Sequence, residues 1–155
     1  PSAPVAKPLS LGVIFLTQVY GMRTLGIGRE TNEEMRAVIE KLADIIAKSQ
    51  EPDGSWHKET FGSLKATGMA WLALRSASST GIPIRHATVD KTVKFIKGQY
   101  NPSTKLYDSG GKLSGYAALY ASATCIRVFC GMGLAGEQQV KDGVDQFTQS
   151  VKSGQ

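Results

Sequence analysis

The run Gln50-Glu-Pro-Asp-Gly-Ser-Trp56 returns in altered form 49 residues later, counted from Gln50 to Gln99. The second copy runs from Gln99 through Asn101-Pro102 to Tyr107-Asp-Ser-Gly-Gly111. Each copy follows a charged, one-sided stretch and precedes an almost wholly apolar one. Two such corners at matched spacing predict stacked supersecondary units, because a repeat of this size buries its apolar face only against its neighbours.

The stretches between the corners read as helices of two kinds. Residues 9–26 carry Leu9, Leu11, Val13, Ile14, Phe15, Leu16, Val19, Tyr20, Met22 and Leu25, which leaves little polar face and predicts a helix buried nearly all round. Gly26-Ile-Gly28 ends it, and Thr31 or Asn32 caps the next, with Glu33 and Glu34 in the first turn where the helix dipole favours them. Along 33–49, Met35, Val38, Ile39, Leu42, Ile45 and Ile46 follow helical spacing, while Arg36, Glu40, Lys41, Asp44 and Lys48 take the other side. The alternation continues with an apolar helix over 63–79, an amphipathic one over 87–98, an apolar one over 113–131 and a polar one over 136–151. The last carries Val140, Val144, Phe147 and Val151 in one stripe. The expectation is an all-α fold of about three helical hairpins, six helices alternating inner and outer. Outside a weak Ile82-Pro-Ile84, no strand pattern competes. One domain spans 9–152, with 1–8 a linker or trimmed terminus and 153–155 a tail.

A chain of 155 residues supports one domain with a sizeable core. Its net charge of +5 allows an acidic partner, but the basic residues are dispersed. Lys91, Lys94 and Lys97 form the one notable stripe and read as a solvated helix face, so nucleic acid is not the expected partner. Cys125 and Cys130 point about 140° apart on a helix, which disfavours a disulfide or a shared metal and suggests buried thiols. No apolar run reaches the ~20 residues of a membrane span, and the compartment is not legible.

Gln50, Gly54 and Trp56 match the core of the Gln-x-x-x-Gly-x-Trp element, the QW motif, of squalene and oxidosqualene cyclases. Thr67-Gly-Met-Ala-Trp-Leu-Ala-Leu74 resembles the inner helix that follows it there and in protein prenyltransferase β subunits. The resemblance covers about residues 9–151 and implies part of an α/α toroid, in which glutamine ties neighbouring helices and tryptophan stacks on it. The second copy keeps Gln99 but has Tyr107 where tryptophan is expected. A whole toroid of that kind has about twice as many helices, so the rest of a larger chain or a second copy of this one is the expected partner. The superfamily's chemistry is not matched. The cyclases' Asp-x-Asp-Asp run is absent, no zinc-ligand spacing joins Asp53, Asp108, Cys125, Cys130, His57 and His86, and Ala135-Gly-Glu-Gln138 lacks the cysteine of a thioester. No metal or cofactor is expected.

His57 and Asp108 occupy corresponding loops and are the catalytic candidates, as loops that border the central cavity in such toroids. Trp71, Tyr116 and Tyr120 on inner helices are candidates to line a cavity for an apolar ligand, and core packing accounts for them equally. Arg75 and Arg127 interrupt apolar helices and are candidates for holding an anionic ligand. Gln50, Gly54, Trp56 and Gln99 are structural. These readings imply a binding or assembly module rather than an enzyme. The alternative is a terpenoid cyclase, prenyltransferase or polysaccharide lyase whose catalytic residues lie on a missing half or a partner chain.

Overall fold

The computed structural model describes residues 6–23, 29–56 and 60–152. Six helices span them: α1 (Ala6–Arg23), α2 (Arg29–Lys48), α3 (Thr60–Ser79), α4 (His86–Lys97), α5 (Gly115–Gly131) and α6 (Gln138–Lys152). Two short antiparallel strands, β1 (Tyr100–Asn101) and β2 (Leu106–Tyr107), lie between α4 and α5 and pair Tyr100 with Tyr107. The all-α class holds, with this small hairpin as an addition that the apolar pattern did not foretell. Two-residue strands are too short to show alternation. The helix expected to start after a linker of eight residues begins at Ala6, because Pro8 is tolerated in a first turn, where no intrahelical partner awaits its missing N–H. Helix α2 begins at Arg29, ahead of Thr31 and Asn32, so neither stands at the cap. Gly26-Ile-Gly28 lies outside the described residues.

Helix α3 is the centre of the arrangement. It packs against α1 on one side and α5 on the other, while α2 lies against α1 and α3, and α6 lies against α5. Sequence explains the closeness of the α1–α3–α5 row. The α3 face of Ala66, Ala70, Ala73 and Ala77 is at most 2% exposed, and small side chains let helix axes approach. Gly68 meets α5 so closely that a Cβ there would fall 2.3 Å from Thr124 Cγ2. Two cores result, sharing α3. One gathers Val13, Ile39, Ile46, Trp56 and Leu74; the other gathers Leu64, Trp71, Ile96, Tyr107, Val128 and Phe129.

The two corners join these layers. Trp56 is buried, its indole N–H donates to Ile46 O at 2.7 Å, and its backbone N–H donates to Thr67 Oγ1 at 3.3 Å. Tyr107 takes the same place one repeat on: it is fully buried, and its backbone N–H donates to Ser122 Oγ at 2.8 Å. A hydroxyl on the next apolar helix thus receives the aromatic residue's amide in both repeats. Gly54 has φ +94°, and a Cβ there would sit 2.2 Å from Lys91 O, so only glycine lets the first corner lie on α4. Gln50 completes the joint. Its Nε2 lies 3.1 Å from Gly54 O, 3.1 Å from Thr88 O and 3.0 Å from Thr92 Oγ1.

Gln99 does not repeat this tie; its Nε2 donates to Phe95 O in its own helix. The outer-helix stripe explains why. Where α4 buries Thr88 and Thr92, α6 carries Val140 and Val144, which offer no side-chain acceptor. The second corner instead reaches α6 through Tyr100, whose hydroxyl donates to Asp142 Oδ2 at 2.8 Å.

Candidate functional site

Helical register defines one uncovered side of the α3–α5 pair. At 100° per residue, Lys65, Leu72 and Ser79 lie on one flank of α3, between its alanine face and Gly68, while Tyr116, Ala123 and Arg127 fall opposite Ala118, Cys125 and Phe129 of α5. The faces adjoin, since Lys65 Nζ stands 5.9 Å from the centroid of the Tyr120 ring. Tyr116 is 78% exposed and Tyr120 50%. Large rings usually find cover, so two of them on successive turns of a packed helix make an unusual surface. Arg75 and Arg127 lie within the same exposed arc, and among the described residues no ion pair engages either one.

This arrangement offers exposed aromatic rings and, about two turns further along α5 and on α3, guanidinium groups that no ion pair engages among the described residues. Arginine presents a planar fork suited to carboxylate or phosphate oxygens, and the rings provide a surface for an apolar chain. The lysine over Tyr120 adds a third positive group and holds the ring's face by a cation–π contact of about 0.5–1 kcal/mol at such exposed sites.

The other expected site residues distribute differently. Trp71 is 4% exposed and turned towards α5, where its Nε1 would stand 3.6 Å from a Cβ on Gly131. It belongs to the second core. Asp108 is neither a solvated loop residue nor an open acid. It is 1% exposed, and Asn101 Nδ2, Thr104 Oγ1 and Gly111 N–H all donate to its carboxylate, at 3.1, 3.0 and 2.7 Å. Those bonds tie β1 and the turn that follows it to the loop after β2, in which Ser109 has φ +56° and Gly110 and Gly111 also have positive φ. His57 lies outside the described residues. The expected pairing of His57 with Asp108 therefore has one member fixed as a loop anchor. Cys125 is buried, and burial pushes its thiol pKa up; Cys130, expected to be buried, is exposed on α5.

Sequence reasoning missed the acidic partner of Tyr100. Asp142 is held below the usual carboxylate range by hydrogen bonds from Gln138 and Tyr100, and burial with the Asp142 bond pushes the Tyr100 hydroxyl up to about 12. The signal was a tyrosine beside Gln99, but its reach of 42 residues to α6 has no local pattern.

Among the described residues, clefts open beside α2 and beside α4. The first, about 440 Å³, is lined by Glu40, Lys41 and Asp44 of α2 and by the loop Ile82–Arg85. The second, about 500 Å³, is lined by Val89, Asp90 and Val93, each 49 residues after its counterpart, and by Met132 and Leu134. An ion pair ties loop to helix at both, Arg85 to Asp44 at 2.9 Å and Lys97 to Glu137 at 3.3 Å. These clefts are the joints of the repeat, seen twice. Among the described residues no three metal-ligating side chains gather, and no helix is long and apolar enough to cross a membrane.

No protein-family model, curated protein or solved structure matches this chain.

Proposed function

We propose that the chain is a binding module, built as an arc of an α/α toroid, whose uncovered α3–α5 side takes an anionic amphiphile. An apolar tail lies across Tyr116, Tyr120 and Leu72, and the acidic head meets Arg75 and Arg127. The observation that carries this reading is the pair of exposed tyrosines, with Lys65 over one ring and two arginines in the same arc that form no ion pair among the described residues. The row α1–α3–α5 flanked by charged helices, and corners and clefts that recur at 49 residues, support the toroid-like arc. The resemblance of Gln50, Gly54 and Trp56 to the cyclase and prenyltransferase corner agrees with it. The remaining arc comes from more of the same chain or from a second copy.

The chemistry sets the test. Calorimetric titration of decyl phosphate, below its micelle concentration, is expected to show saturable binding. Arg75→Ala with Arg127→Ala is expected to weaken it by about tenfold or more, consistent with the ~1.5–3 kcal/mol of hydrogen bonds to charged groups. Decyl glucoside, with the same tail and no charge, is expected to bind less tightly and to ignore the double substitution. Absence of saturable decyl phosphate binding, or equal affinity in the double variant, contradicts the reading.

A further inference from the structure

The three outer helices carry one stripe with two different fates. On α2 it consists of Ile39, Ala43 and Ile46, all at most 4% exposed. On α4, Thr88 and Thr92 hold the corresponding turns, at most 6% exposed. On α6 the stripe is more apolar than on α4, with Val140, Val144, Phe147 and Val151 at spacings of four, three and four. Only Val140 is buried; Val144 is 44% exposed, Phe147 42% and Val151 64%. Sequence has written a core face that the other described residues leave open.

The repeat itself shows what covers such a stripe. Helix α2 rests against two apolar helices, α1 and α3, one on each side. Helix α6 rests against α5 and the short strand β2, where α2 has two apolar helices. At the opposite end of the row, α1 lies against α2 and α3. There Leu11 is 58% exposed and Phe15 66%, both on the side of α1 opposite the buried Val13. One end therefore presents an apolar stripe on a charged helix, and the other an apolar helix with two large side chains exposed.

We infer that two copies of this chain associate head to tail, the α6 stripe of one seating α1 of the other. Val144, Phe147 and Val151 then meet Leu11 and Phe15, which extends the α1–α3–α5 row by one step with the packing already used inside the chain. The contact is heterologous, joining unlike surfaces, and two copies close when both ends are used. The inference rests on the repeat arrangement of the helices. It uses none of Tyr116, Tyr120, Arg75 or Arg127, so loss of amphiphile binding leaves it standing and the converse also holds.

Because the surfaces are unlike, a mixing experiment is decisive. Sedimentation of the unaltered chain at about 100 μM is expected to give twice the monomer mass or more, with Phe15→Asp and Phe147→Asp each reducing it to monomer. Both side chains are exposed, and circular dichroism melts are expected to show each variant folded. Mixing the two variants is expected to restore association, since Phe15→Asp keeps an intact α6 stripe and Phe147→Asp keeps an intact α1. A monomeric unaltered chain overturns the inference. So does Phe15→Asp that still associates, or a mixture that stays monomeric, because either result means like surfaces meeting.

Discussion

Trp56 and Tyr107 do the same work with different polar ends. The indole N–H of Trp56 reaches Ile46 O at 2.7 Å, whereas the Tyr107 hydroxyl is buried with no hydrogen-bond partner among the described residues. Trp56→Ala removes a ring that is 1% exposed, and is expected to cost about 3–5 kcal/mol, read as a lower denaturant midpoint. A loss below about 1 kcal/mol contradicts a central role for that ring. Tyr107→Phe keeps the ring and deletes an unsatisfied hydroxyl, so it is expected to be neutral or to stabilise by up to about 1 kcal/mol. Loss of more than about 1 kcal/mol on that change means the hydroxyl has a partner after all. The sequence showed an aromatic residue at each corner, but not the fate of its polar atom. That depends on which carbonyl the packing of a different helix brings within reach.

At the scale of elements, the apolar helices were legible because they lack a polar side, and the charged ones because Lys41, Asp44 and Lys48 line up opposite Ile39 and Ile46. Less legible was how closely α3 and α5 meet, since that hinges on the absence of a side chain at Gly68. Gly68→Ala places a methyl 2.3 Å from Thr124 Cγ2 and is expected to destabilise by about 1–3 kcal/mol through overpacking. Thr124→Ser removes that methyl. Combined with Gly68→Ala it is expected to recover at least half of the loss, giving a coupling energy that thermal or urea unfolding resolves. Additive costs instead mean that the helices do not touch there. The failure of Gln99 to copy Gln50 has the same kind of cause. A glutamine can bridge two layers only when the facing helix supplies acceptors, as Thr88 and Thr92 do on α4 and Val140 and Val144 do not on α6.

For the whole molecule, the organising relation is order along a row: α1 beside α3, α3 beside α5, and charged helices outside. The sequence made the alternation readable through its 49-residue period, and the recurrence of two clefts at that period gives it a spatial counterpart. The candidate site was readable only in part. Tyr116, Tyr120, Arg75 and Arg127 stand on the uncovered side, while Trp71 and Asp108 were drawn inward, one by a core and one by its own loop. A residue's helix predicts its neighbours along the chain, and only packing decides which arc of that helix stays open.

The separation of α1 from α5 tests the row most directly. Spin labels at Gln18 on α1 and Ala123 on α5, with Cys125 and Cys130 replaced by serine, report it by pulsed dipolar spectroscopy. Neighbouring helix axes lie about 8–10 Å apart, so a row with α3 between them gives a separation of roughly 20 Å. A distance near 10 Å, as expected when α1 and α5 pack directly in a closed bundle, contradicts the arrangement.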